Sequence, residues 1–480
     1  MDHFFVSDAK VRRYFEAPDG VDVDGREVLS RPGALPDGTP FVVDASMRPV
    51  EPLCSYFFEM SKHVGAKTLA DYAYDLIGLV EFLAVLEPPV DLVSATEDDL
   101  VAYRLHRTVR QDTPVAAATW RCNRAAINGF YTWAVTSGSL PAKPYVARAN
   151  GRDALSWGSV NTLDVRHLSH PQWQMLHRVG LGGLRPDGDV DPAFRGRDRL
   201  RNMAAGELAV TTGMRLREFT CLLDIEVGPP RPDATGAPVL LQAVAKYGIA
   251  RQAVIGHPVL RSIDLYRRTE RAVAVEATRR TLARRAGELF VVDDVDESRM
   301  RLRGRLHGRR REFAISAMPA PLRRLTVIDR GRGPEPMALF VGARGVMPGK
   351  SRWEQIFAAA AARARAAAPE AGVVMPARVR IHDTRHTFAV FMLAILTRLV
   401  VREENERRAG GSAYVAGHVA RNPLLTVQRL LGHRSPATTY RYLYYLEQTE
   451  AIVARALEEW TDADTSWADQ ARIATGSGVR

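Results

Sequence analysis

Leu430-Leu-Gly-His433-Arg-Ser-Pro-Ala-Thr-Thr-Tyr440-Arg-Tyr442-Leu-Tyr444-Tyr445 sets a histidine directly after a glycine and nine residues before one of four tyrosines. Leu-Leu-Gly reads as the end of a helix, with Gly432 as its stop. The tyrosines pair up on helical faces, 440 with 444 and 442 with 445, so periodicity alone leaves all four open as a reactive group. Upstream, His382-Asp-Thr-Arg385-His386 spaces a histidine and an arginine three apart, which a helix presents on one face. Further back, Thr212-Gly213-Met-Arg215-Leu-Arg217-Glu218 places Arg215 just after a glycine break, at the start of a helix whose unpaired amides favour an anion.

These residue types suit phosphodiester cleavage without a metal, which needs a nucleophile, charge stabilisation, a proton for the leaving alkoxide, and positioning. The transition state concentrates negative charge on two nonbridging oxygens, and planar guanidinium forks match that geometry. Arg215 and Arg385 are the candidates for that clamp. Imidazole can donate to the phosphate or accept a phenolic proton. A phenol, with an ordinary pKa of about 10, needs such a base or a cationic field to attack near neutral pH.

In this order the three blocks resemble the tyrosine recombinases, the family of phage-type integrases. The resemblance selects Arg215 over Arg217 through the pattern Thr-Gly-x-Arg-x-x-Glu, and makes Glu218 a buried supporting partner. It selects Tyr442 as nucleophile through the spacing from His433, and it gives His382 and His433 the role of donors to the phosphate. Lys246, the one lysine between 143 and 350, lies where the family's general acid sits.

The implied fold is mainly α with a small antiparallel β-sheet: a helical core-binding bundle followed by a tyrosine-recombinase catalytic domain. The implied activity is site-specific recombination for a mobile element through a 3′-phosphotyrosyl link, with no cofactor. The implied partners are double-stranded DNA, three further copies of the chain in synapsis, and accessory DNA-binding factors. The rivals are a type IB topoisomerase-like enzyme, which shares the residues but works alone, and a catalytically inactive DNA-binding protein.

Composition agrees with this reading. The chain has 480 residues, 46% hydrophobic and 25% charged, long enough for two or three cores. Its formal charge of +11 favours a polyanion, because phosphate contacts release condensed counterions. Only six of the 66 basic residues are lysine, so each lysine merits inspection. Three scattered cysteines and no apolar run of about 18 residues make a cytoplasmic protein the expectation.

Along the chain, residues 1–48 read as an extension with little helix and 49–140 as four helices. Residues 141–165 read as a Pro/Gly/Ser-rich linker, 166–462 as the catalytic domain, and 463–480 as a tail. The aromatics Trp120, Phe130, Tyr131 and Trp133 are expected in the bundle core. Val239 to Ile255, with Lys246-Tyr-Gly near its middle, has the alternation of a hairpin. Arg301, Arg303 and Arg305 at period two put three guanidiniums on one strand face. Regions 285–340 and 402–422 are longer than usual for the family, and the second contains another Gly-His at His418. Ile452, Val453, Leu457 and Trp460 line one side of a helix after Tyr442, suited to docking on a neighbouring copy or on its own domain. Gly345 to Ser351 lacks one residue of a P-loop, and His382 to His386 has aspartate where a zinc-protease helix needs glutamate.

Overall fold

A computed structural model of the chain describes residues 1–8, 10–11, 33–147, 152–158, 166–231, 236–409 and 422–445. It divides into two compact units, Met1–Thr162 and Leu163–Arg480.

The first unit begins with β1 (Asp2–Phe5) paired antiparallel to β2 (Pro40–Val43), and continues with α1 (Leu53–Ser61), α2 (Ala66–Ala84), α3 (Glu97–Leu105) and α4 (Ala117–Thr136). Leu69, Ala73, Leu76, Ile77 and Leu83 recur on one side of α2 and are buried, as the three- and four-residue spacing predicts. Thr96 starts α3 by accepting from the Asp99 amide, while the Asp99 carboxylate returns to the Thr96 amide. Trp120, Phe130 and Tyr131 are buried and Trp133 packs beside them, so the aromatics of α4 are core.

In the described part of residues 1–48, read above as an extension with little helix, the β-branched side chains Val42 and Val43 are buried, and Val42 joins the same core as Tyr56 and Leu76. Described residues of the 141–165 linker also contribute to it. Tyr145 and Leu155 are buried in that core, the Trp120 indole donates to the Leu155 carbonyl at 2.7 Å, and Arg124 grips Asp153 at 2.7 Å.

The second unit opens with α5 (His170–Gln174), prolonged by a π-helical turn (Met175–Leu181), and α6 (Arg199–Thr212) and α7 (Leu216–Thr220). A hairpin follows, β3 (Gly236–Leu241) and β4 (Arg251–Gly256), in register Val239 to Ala253 and Leu241 to Arg251. Then come α8 (His257–Tyr266), α9 (Ala272–Ala283), β5 (Phe290–Asp296), β6 (Arg301–Leu306), β7 (Arg309–Ala314), α10 (Ala320–Arg324), β8 (Thr326–Asp329) and β9 (Pro334–Pro336). The chain ends its described course with α11 (Lys350–Ala367), α12 (Asp383–Ala409), α13 (Pro423–Leu431), α14 (Ala437–Tyr440) and a 3-10 turn (Arg441–Tyr445).

The fold is mainly α with small sheets, as expected. The expanded region folds into five strands in the order β7-β6-β5-β8-β9, and β5 and β8 run parallel. β6 is therefore interior, not an edge strand. Of its arginines, Arg301 pairs with Glu312 at 2.8 Å and Arg303 with Asp294 at 2.8 Å.

The alanine-rich α11 is structural. Ala360, Ala361 and Ala364 are buried, and a Cβ at Gly180 would stand 2.6 Å from the Ala360 carbonyl oxygen, so only small residues allow this approach. Trp353 and Phe357 carry α11 into the main core with Leu208, Phe219 and Ile263. A second cluster, Phe388, Ala389, Leu393, Val427, Leu431 and Tyr442, joins α12 to α13 and the 3-10 turn. Asp383–Arg402 is long and apolar enough to cross a bilayer by length and composition alone, yet its first turn carries Arg385 and His386 into this interior. His418 and the segment from Ile452 to Trp460 lie outside the described residues.

Candidate active site

Gly213 ends α6 with φ +60°, and a Cβ there would fall 2.3 Å from Phe388. Glycine is required both for the left-handed stop and for the approach of α12. Two residues on, Arg215 is the N-cap of α7. Glu218 in the first turn reaches back, one carboxylate oxygen accepting from the Arg215 amide at 2.7 Å and the other from the Arg215 guanidinium at 3.0 Å. Arg217 is exposed.

Glu218 has 0% exposure, and a second guanidinium meets it there, that of Arg251 at the start of β4. Arg251 also donates to the Leu430 carbonyl at 2.6 Å. Losing either guanidinium would strand the opposite charge in a low-dielectric interior.

Arg385, in the first turn of α12, donates to the carbonyls of Gly213 and Leu431, tying together the ends of α6 and α13. Burial, and then Arg215, pull its pKa down to about 9, which leaves it a cation at neutral pH. His382 lies in the turn immediately before α12, not on the helix itself, and the Arg385 amide closes that turn by donating to the His382 carbonyl at 3.1 Å.

α13 stops as Leu-Leu-Gly implies. Gly432 has φ +63°, its amide donates to Arg429, and the His433 amide donates to Gln428, the paired bonds of a Schellman stop. His433 Nδ1 lies 2.9 Å from the Thr439 hydroxyl, and its ring stacks on Tyr442 with 14° between planes and 6.3 Å between centroids.

Tyr442 is 1% exposed, whereas Tyr440 is 51% exposed. The Tyr442 hydroxyl lies 2.9 Å from His386 Nδ1, and the His386 ring meets His382 edge-on at 4.8 Å. Burial, and then neighbouring positive groups, lower His382 to about 4 and His386 and His433 to about 3, so all three rings are neutral at pH 7. Burial raises the Tyr442 phenol, against the pull of Arg385, Arg441 and Arg215.

Arg215, Glu218, His382, Arg385, His433 and Tyr442 thus converge from three separated stretches of sequence. Lys246 is exposed in a 3-10 turn (Lys246–Gly248) at the head of the β3–β4 hairpin. That loop is fixed to the base of the five-stranded sheet by the Ala243 amide, which donates to Ser316 at 3.0 Å.

Residues 56–138, which span α1 to α4 from their fourth residue on, match the family described as phage integrase, N-terminal SAM-like domain. That match covers 83 of the 480 residues, all within the first unit. Among solved structures, the chain is similar to the XerH site-specific recombinase bound to palindromic difH substrate. Identity is 13%, 84% of each chain is covered, and the TM-score is 0.46. It is also similar to the Tn1549 transposon integrase in complex with circular intermediate DNA, at 13% identity over 81% of this chain and 94% of that one, TM-score 0.42. A lambda integrase dimer bound to a COC′ core site resembles it at 13% identity over 81% and 92%, TM-score 0.43. At these TM-scores none of the overlays assigns a role to a residue here. No curated protein matches the chain in sequence.

Two members of the site escaped sequence reading. Arg251 had a signal: with Ala253 and Ile255 it occupies the inward face of β4 by period-two alternation, so an arginine there needed a buried partner. His386 had a weaker one, a place one residue after Arg385 that reads only as the far end of a rejected zinc motif.

Proposed function

We propose that this chain is a site-specific DNA recombinase of a mobile element, cutting and rejoining double-stranded DNA in the cytoplasm through a 3′-phosphotyrosyl intermediate on Tyr442. The observation that carries the reading is the buried Tyr442, its hydroxyl 2.9 Å from His386 and its ring stacked on His433, beside the guanidiniums of Arg385, Arg441 and Arg215. In the forward step the phenol oxygen bonds to phosphorus as the bond to the 5′ oxygen breaks. With the His386 ring protonated on Nε2, its Nδ1 accepts the phenolic proton. Arg215 and Arg385 hold the nonbridging oxygens, with His382 and His433 as neutral donors.

Lys246 supplies the proton to the departing 5′ oxygen, a contribution worth roughly a hundred- to ten-thousand-fold in rate. Its exposed place on the β3–β4 loop suits a group that reaches DNA. Glu218 orients Arg215. The new ester stores the energy of the broken bond, so the 5′ hydroxyl of a second strand can reverse the step without nucleotide, metal or other cofactor. Exchange needs two duplexes and four protomers, with accessory factors choosing the sites.

Tyr442→Phe tests this directly. On DNA carrying a cleavable site it should form no covalent adduct, while Tyr440→Phe forms adduct normally. Adduct from the Tyr442→Phe chain would sink the assignment. An intact chain that relaxes single duplexes without pairing sites would favour the topoisomerase-like rival.

A further inference from the structure

The five-stranded sheet neutralises its own arginines everywhere but at one corner. On the outward face of β6, Arg301 meets Glu312, and Arg303 lies between Asp294 of β5 and Glu312 of β7. The next rung toward the turn breaks this pattern. Arg305 stands directly opposite Arg310, with Val291 as its neighbour on the other side. Like charges facing each other across an antiparallel pair are destabilising. Arg309 and Arg311 occupy the alternate rungs of β7, and all four of these arginines are exposed.

Among the described residues none of the four forms an ion pair. The nearest acidic side chain in the adjoining loop, Glu288, is already gripped by Arg285 through two nitrogens, at 3.0 and 3.1 Å. The turn between the strands is His307-Gly308, both with positive φ, the geometry of the tightest two-residue hairpin loop. The Nδ1 of His307 lies 3.3 Å from the Gly287 carbonyl. The four guanidiniums therefore sit on a braced framework. An exposed edge strand is shielded by one or two charges. Four of one sign, two of them opposed, call for a counterion array.

We propose that this corner is a second duplex-DNA contact, in which Arg305, Arg309, Arg310 and Arg311 bind backbone phosphates away from the scissile one. The inference rests on the recombinase reading above. β7 ends at Ala314, two residues before Ser316, which holds the loop that carries Lys246, and the arginines begin three residues up the strand from that end. At about 3.4 Å per residue Arg311 stands roughly 10 Å and Arg309 roughly 17 Å from that end, about three to five base-pair steps of duplex. The contact reads charge, not bases, so it adds affinity and orientation without sequence preference.

The test compares the full chain with a variant carrying Arg305→Gln, Arg309→Gln, Arg310→Gln and Arg311→Gln, binding a 40-base-pair duplex of arbitrary sequence between 50 and 200 mM salt. The expected result is binding weaker by roughly tenfold or more at 100 mM, with the slope of log affinity against log salt shallower by about two to four. Arg301→Gln with Arg303→Gln, whose guanidiniums are already paired, should change the slope by less than about one. Arg310→Glu separates folding from binding. It should raise the thermal midpoint by pairing with Arg305 while weakening the duplex complex.

A four-arginine variant that binds as the parent does overturns the inference and leaves the recombinase reading standing. So does a loss seen with single-stranded RNA of the same length but not with duplex, or an Arg310→Glu chain of lowered midpoint, which would make Arg310 a packing residue. A parent chain that binds no duplex and forms no adduct overturns both.

Discussion

Glu218 decides the geometry of the arginine cluster. It has no exposure, and its two oxygens take the Arg215 guanidinium, the Arg215 amide and the Arg251 guanidinium. Glu218→Gln keeps the shape but removes the negative charge between those cations, with Arg385 also nearby. The expected loss is about 3 to 5 kcal/mol of unfolding free energy, read from urea titration. A loss under about 1 kcal/mol would mean that water screens the pair. At His386 the expected outcome differs: His386→Ala should keep the fold and slow adduct formation. A fluorinated tyrosine at 442, with a more acidic phenol, should recover part of that rate. The resemblance points to Arg215, Glu218 and Tyr442 through patterns that are local in sequence. Arg251 was harder to find, since its partners are 33 residues back and 179 residues on.

Among the elements, glycine-stopped helices place the chemistry. α6 and α13 both end on glycines in the left-handed region, and Arg385 donates to a carbonyl at each end. Gly213→Ala forces a strained φ and drives a methyl against Phe388, so it should cost at least about 1 to 3 kcal/mol and lower cleavage with it. Gly372, also at positive φ but with open space around it, is the control, losing only the strain. Helices and the β3–β4 hairpin were legible because their periods are written within each segment. The five-stranded sheet was not. Its parallel pairing of β5 with β8 joins segments separated by β6, β7 and α10, and no local alternation encodes that register. The packing of β2 into the first unit is hidden in the same way, because Phe41-Val-Val becomes core only against helices that follow it.

At the scale of the whole molecule, three neutral histidines in one interior link stability to pH. Their folded pKa values, about 4 for His382 and about 3 for His386 and His433, lie below the ordinary 6.5. Between those values the unfolded chain binds more protons, so this contribution is complete above pH 6.5 and is lost as pH falls through the window. Asp75 in the first unit, pushed up to about 6 by burial, and Glu226 and Asp383 in the second, both raised by burial, act in the opposite sense and offset part of this. The urea midpoint of the second unit should therefore drop steeply from pH 7 to pH 4.5. A midpoint that holds or rises would contradict buried, neutral rings.

The most direct measurement is to find where DNA becomes attached. The intact chain is mixed with a site whose scissile 5′ bridging oxygen is sulfur, which leaves as a thiolate and traps the covalent product, and the adduct is digested and mapped by mass spectrometry. The nucleotide mass should sit on the peptide containing Tyr442, and on Tyr442 itself. A trapped adduct on Tyr440 or on any other residue, or no adduct from protein that binds the site, would contradict the mechanism.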